Sequence, residues 1–380
     1  MHIADRQRLH VMQRIIENLR LDGHAMRYSQ FVPRLYNYCL SLGFQRDRMM
    51  PSRAFCSDES QGYPVILIAQ HFGTFPFDHG QVGGKVATDR HGPHAHHGED
   101  LVIIHASHVG YDPDTKRFGV YQRQRTAHQE FGDNCGKLCG VLHWYQTEYR
   151  HACDHILCGR LDGKPVVYVD NLFLDEERSD GLLLNLDLLI DRSKGPLKTL
   201  STSNVFPAAP AFAARLPAET WGDTPQIIGA RLTADLFFFR RVVPEGPEGL
   251  DLLEKALGPA MPALVTSPHP ALDAARYHTQ VEFDRTYRSI RREPVYNNKN
   301  LLFISGLNID ISPRDGLPFP LTNFVPWAAY ARLRDGRHFH LEQHELTDTL
   351  RRQSADNPDR MSFDASILDM SEAEGVTIET

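Results

Sequence analysis

The sequence predicts an α/β fold, a sheet flanked by helices, and three observations carry that expectation. Short continuous apolar runs with β-branched residues, PVILIAQ (64–70) and LVIIHAS (101–107), have the texture of strands buried on both faces. Such runs alternate with stretches of helical periodicity, as an α/β sheet requires. The chain has 380 residues, 41% of them apolar and 23% charged, which is ordinary globular composition and enough for a sizeable core.

The elements read in order as follows. Leu9, Met12, Ile16 and Leu19 form one helical stripe, with Gly23 as its stop. A second helix carries Phe31, Leu35, Tyr38 and Leu42 and closes at Gly43. The two apolar runs follow as strands, separated by a loop rich in Gly, Pro and His. DPDTKRFG is the turn of a hairpin after the second run. A helix starts near Cys135, with Asp133 or Asn134 as its cap. KPVVYVDNLFL, LFFFRRVV and LLFISGLNIDIS read as strands, and LEQHELTDTLRRQ as a helix. The final twenty residues hold five acids and no Lys or Arg, so a loose acidic tail is expected there. The expected organisation is an N-terminal helical segment (1–50), an α/β core (51–195), a C-terminal part (196–360) and the tail (361–380).

Several function classes are disfavoured. A net charge of −7 gives no nucleic-acid footprint. No apolar stretch approaches the ~18 residues of a membrane span, and no secretory signal is visible. Six cysteines in a chain of this length are too sparse for a disulfide scaffold and read as free thiols in a reducing, cytoplasmic or stromal, compartment.

Three segments carry candidate chemistry: FCSDES, HASHVGYD and DNCGKLCG. Cys56 sits at the mouth of the first run. His108 sits at the C-terminal end of the second, where open α/β sheets place their ligands. Cys135 begins a helix, whose dipole favours thiolate. Two thiolates and an imidazole fill three positions of tetrahedral zinc and leave the fourth for water. The spacing alone does not single out this set, because buried free cysteines are common core residues.

The order of these motifs resembles that of β-type carbonic anhydrases. More closely, residues 56–142 resemble the limiting-CO2-inducible B/C family, the divergent β-carbonic-anhydrase-like proteins of algae and bacteria. The passages that match are GTFPFDHGQVGG, LVIIHASHVGYD and GVYQRQRTAHQEFGDNCGKLCG, with a weaker echo in LTNFVPWAAYARL. The resemblance implies a β-carbonic-anhydrase-like sheet with an N-terminal helical segment and an α+β C-terminal part. It implies Zn2+ held by Cys56, His108 and Cys135, and reversible hydration of CO2 to bicarbonate through zinc-bound hydroxide. It also implies at least a homodimer, and an Asp–Arg dyad in which an arginine draws Asp58 off the metal. The usual position of that arginine is Ser60 here, so Arg123 is assigned to the dyad, with Arg125 second. Without such an arginine, Asp58 itself can ligate zinc and close the site. The alternative function is therefore a catalytically silent relative acting as a binding or scaffold subunit in inorganic-carbon handling. A different zinc hydrolase is disfavoured by the absence of HExxH.

The neighbours are weighed in the same way. Cys139 competes with Cys135, one helical turn away on the same face. His105 competes with His108, but three residues apart on a strand they face opposite sides. HGPHAHHG (91–98) reads as a solvated loop able to shuttle protons. Cys39, Cys153 and Cys158 read as packing residues. Phe72, Phe75 and Val109 are candidates to line a small apolar pocket for CO2.

Overall fold

The computed structural model describes residues 12–80, 100–122, 131–243, 250–313, 317 and 319–373. The chain divides into two compact units, Met1–Asn18 with Gly136–His278, and Leu19–Cys135 with Thr279–Thr380. They do not follow the consecutive segments expected above: the second unit takes strands from both ends of the chain.

The second unit is built on an eight-stranded mixed sheet. Its strands are β1 (Met26–Arg27), β2 (Met49–Ala54), β3 (Phe77–Asp78), β4 (Asp100–Asp112), β5 (Arg117–Phe118), β6 (Leu301–Ile311), β7 (Leu321–Arg332) and β8 (His338–Leu341). The order is β1-β7-β6-β4-β2-β3, with β8 on β7 and β5 on β4. Strands β3, β2, β4 and β6 run parallel, and β7 joins β6 antiparallel. The fold is thus mixed α/β, a central sheet flanked by helices, as the alternating pattern predicts.

Both faces of this sheet are covered, which explains the near-continuous apolar texture of β4 and β6. Val102, Ile104, Leu302 and Ile304 share one buried cluster with helices α1 (Tyr28–Ser41) and α2 (Gly62–Phe72). Leu101, Ile103, Leu301 and Phe303 belong to a second cluster, with Ile290, Phe283 and Tyr287 packed on it. Strand period two therefore assigns even-numbered residues of both strands to the α1–α2 face. On that face Phe31 stacks on Phe324 with ring centroids 4.0 Å apart. Gly306 has no side chain because an added Cβ would come within 2.4 Å of the Phe324 ring.

PVILIAQ is a correction. It lies inside helix α2 and not in a strand. A short apolar run fits a buried helix as well as a buried strand, and periodicity cannot separate them. Gly73 ends this helix at φ +74, its N–H donating to the Ala69 carbonyl. The second predicted helix, the hairpin at β4–β5 and the strand at β6 all form as read. Within the expected tail, Phe363–Glu372 is helical, its first turn capped by the Ser362 hydroxyl, and residues 374–380 lie outside the described residues.

In the first unit, strands Ile156–Leu161 and Lys164–Asp170 centre a five-stranded antiparallel sheet. The long helix Gly136–His155 precedes them. Among the described residues, no helix is long and apolar enough to cross a membrane.

Candidate metal centre

The C-terminal halves of the parallel strands β2, β4 and β6 lead to one buried polar cluster of the second unit. Cys56 lies two residues beyond β2, where the chain leaves the sheet and enters a 3-10 turn at Glu59–Gln61. Asp58 caps that turn, accepting a hydrogen bond from the Ser60 amide at 3.1 Å. His108, an even-numbered residue of β4, projects from the α1–α2 face. His105 lies on the other face, against the Ser305 hydroxyl at 2.7 Å. Of the two histidines, His108 is the one placed beside Cys56 and Cys135.

Backbone hydrogen bonds position Cys135. The Gly110 N–H donates to the Asn134 carbonyl at 2.8 Å, and the Asn134 N–H donates to Gly119 at 2.9 Å. Segment 131–135 is thereby laid along the end of β4, two residues from His108. Gly110 permits the approach: an added Cβ would meet the Val120 carbonyl at 2.7 Å and the Asn134 Cβ at 2.9 Å.

The result is a buried cluster. Cys56, His108 and Cys135 are exposed by only 3%, 1% and 1%. Their ligand atoms all lie within 4.8 Å of one another, and the two sulfurs are 3.8 Å apart. The Nδ1 of His108 is 2.8 Å from the Asp310 carboxylate, while its Nε2 is buried with no hydrogen-bond partner. An imidazole that gives its Nδ1–H to a carboxylate keeps an Nε2 lone pair for a metal. An orphaned buried nitrogen beside two sulfurs is costly unless something binds there. This donor set fits zinc, whose Cys2His sites keep a fourth position open.

The electrostatics agree. Cys56 is pushed down to about 3, first by the hydrogen bond from the Cys135 thiol and further by His108, against the cost of burial. Cys135, as that donor, is raised. Burial opposes charge on His108, but the Cys135 sulfur and the Asp310 carboxylate outweigh it and raise its pKa. The cluster thus pairs a thiolate with a protonated imidazole, and a cation binding there would displace the proton from Nε2. Burial also raises Asp58.

Sequence reading missed Asp310, which lies on β6, 202 residues after His108. Parallel pairing sets Asn308 opposite His108, so the even-numbered Asn308 and Asp310 share its face. Asp310 also accepts from Ser60 and Gln61 at 2.8 Å each and from Thr322 at 3.0 Å. The side-chain oxygen of Asn134 caps no helix N–H. Its amide donates to the Ser60 hydroxyl at 3.1 Å. Ser60 is thus a buried hydrogen-bonding residue.

Other predicted residues fall elsewhere. Arg123 and Arg125, and the histidines of 91–98, lie outside the described residues. Among the described residues, no arginine pairs with Asp58. Phe75 is 66% exposed and Phe72 packs in the α1–α2 core, so neither encloses a pocket at the cluster. Val109 is buried but points to the face opposite His108. Cys139 is not in the cluster, and Cys39 is a core thiol.

Comparison with known proteins gives a likeness at the level of structure. The chain is similar to PtLCIB4, a homolog of the limiting CO2-inducible protein LCIB, at 12% identity and a TM-score of 0.49, over 88% of this chain and 99% of that one. It is similar to LCIB itself at 14% identity and a TM-score of 0.45, over 87% and 100%. No protein-family model matches the chain. No curated protein matches it either. The candidate metal centre rests on the geometry of Cys56, His108 and Cys135 alone.

Proposed function

We propose that the protein binds one zinc ion through Cys56, His108 and Cys135 and catalyses reversible hydration of CO2 to bicarbonate. The observation that carries the proposal is the orphaned Nε2 of His108, backed by Asp310 and facing two buried sulfurs. The motif order of the sequence, which resembles the limiting-CO2-inducible B/C family, supplies the choice of CO2. When bound, zinc would supply a Lewis acid that makes a water nucleophilic near neutral pH. Asp58, two residues from Cys56 and raised by burial, would accept and orient the proton of the attacking water. Arg123 would hold that carboxylate away from the metal. Asp310 would keep His108 in its Nε2-binding tautomer.

A second reading is a zinc-binding protein without hydration activity. The buried Ser60 favours it, because it stands where β-type enzymes carry the dyad arginine and is committed to Asp310.

Stopped-flow CO2 hydration on wild type and Cys56→Ala, with zinc content measured on both, tests the proposal. Hydration by the zinc-loaded wild type, lost together with metal in the variant, is expected. Zinc without hydration in the wild type contradicts catalysis and supports the second reading. Replacing Arg123 by Ala should abolish hydration with metal retained.

A further inference from the structure

We infer that Asp310 is the positioning residue of the metal cradle, one carboxylate that holds all three ligand-bearing segments in register. The inference rests on the metal-binding reading above and states how the chain would preorganise that site.

The hydrogen bonds around Asp310 have one consistent polarity. The Tyr28 hydroxyl donates to Asn308 Oδ1 at 2.8 Å, which turns the Asn308 amide nitrogen to Gln61 Oε1 at 2.6 Å. Gln61 then presents its Nε2 to both Ser60 Oγ, at 3.0 Å, and Asp310 Oδ2, at 2.8 Å. Ser60 Oγ receives a second amide hydrogen from Asn134, so its own proton goes to Asp310. Every chain of donors ends on the same carboxylate. A carboxylate accepts several hydrogen bonds and gives none, so it can terminate such a network where a neutral amide cannot.

The three arms lead to the three ligands. The direct arm fixes the ring of His108. A second arm passes through Gln61 and Ser60 into the 3-10 turn that follows Cys56. The third passes through Ser60 to Asn134, the residue before Cys135. Asp310, Ser60, Gln61, Asn134 and Asn308 are each exposed by no more than 1%, so water does not compete for these bonds. Carboxylates behind a metal-ligating histidine typically contribute 10–100-fold in metal affinity. Here one such group reaches both cysteine segments as well.

The test measures Co2+ and Zn2+ affinity by chelator competition, together with the absorption spectrum of the Co2+ protein, on wild type, Asp310→Asn and Asp310→Ala. The wild type should bind Co2+ with the intense visible bands of a tetrahedral thiolate site. Asp310→Asn should bind about 10-fold more weakly and Asp310→Ala about 100-fold more weakly. Both variants should show weakened or shifted ligand-field bands, which a general loss of stability would not produce in the folded, metal-loaded fraction. If Asp310→Ala does not fold, Asp310→Asn decides the matter, with Ser60→Ala expected to lose several-fold. Folded variants with wild-type affinity and spectrum overturn the positioning role and leave the metal reading intact. A wild type that binds neither ion overturns both.

Discussion

Two pairs of buried cysteines show how environment divides one residue type between chemistry and packing. Cys56 and Cys135 sit in a pocket with an imidazole and a network of buried donors, and their thiol pair carries negative charge with Cys56 near 3. Cys153 and Cys158 of the other unit are also buried, but there burial dominates: it pushes Cys158 up to about 12 against the charge of Arg231, and raises Cys153 despite a hydrogen bond with Tyr149. A cysteine in an apolar interior stays a protonated, inert hydrophobe. Hydrogen-bond donors and a neighbouring imidazole convert the same side chain into a thiolate that could hold a metal.

The largest effect should come from the cysteines themselves. Cys56→Ser or Cys135→Ser should weaken zinc binding by about a thousandfold, a loss of roughly a third of the ~10–16 kcal/mol that structural zinc contributes. Cys153→Ser and Cys158→Ser should leave zinc affinity unchanged. Chelator competition on the four variants checks both halves, and equal losses in the two pairs would erase the distinction drawn above.

Gly110→Ala tests the backbone approach that sets Cys135 beside His108. The new methyl would meet the Val120 carbonyl at 2.7 Å, so β4 or segment 131–135 must move. A destabilisation of about 1–3 kcal/mol in urea unfolding is expected, with weaker zinc binding. Full affinity in a stable Gly110→Ala protein would show that the cysteine is placed by other means.

Acid sensitivity separates the histidine that faces the sulfurs from those buried without a charge partner. Burial holds His71 and His79 down to about 4, against about 6.5 in an unfolded chain. Between those values the unfolded state binds more protons. Stability therefore rises with pH through this window and falls as pH drops from 6.5 towards 4. For His79, 3% exposed, the loss is on the order of 3 kcal/mol. His79→Leu should flatten the unfolding free energy between pH 4 and 6.5, and an unchanged slope would remove His79 from the account.

The smallest effect is expected at the surface. Arg46 and Asp359 form an exposed ion pair at 3.1 Å. Arg46→Ala should cost less than about 1 kcal/mol and leave metal binding untouched.

The sequence made part of this site legible for a physical reason. Cys56 lies just past β2, Cys135 just before a helix, and His108 in the C-terminal half of β4, the end of the sheet where α/β folds gather function. LLFISGLNIDIS also carried a sign that went unread: Asn308 and Asp310 alternate with apolar residues in a buried strand. Their meaning depends on β6 pairing parallel to β4, a contact about 200 residues long in sequence that no local pattern encodes. The same limit made PVILIAQ a strand on paper, since its eventual neighbours, and not its own period, decide how it folds. Ser60 read as a missing arginine, whereas in the structure it links Asp310 to Asn134.

X-ray absorption at the zinc edge of the purified, zinc-loaded protein tests the proposed Cys56–His108–Cys135 zinc site. One zinc per chain is expected, with two sulfur neighbours near ~2.3 Å and nitrogen or oxygen near ~2.0–2.1 Å, both sulfurs surviving in Cys153→Ser and Cys158→Ser and one disappearing in Cys56→Ser. A shell of nitrogen and oxygen alone, or a protein that retains no stoichiometric zinc, would contradict it.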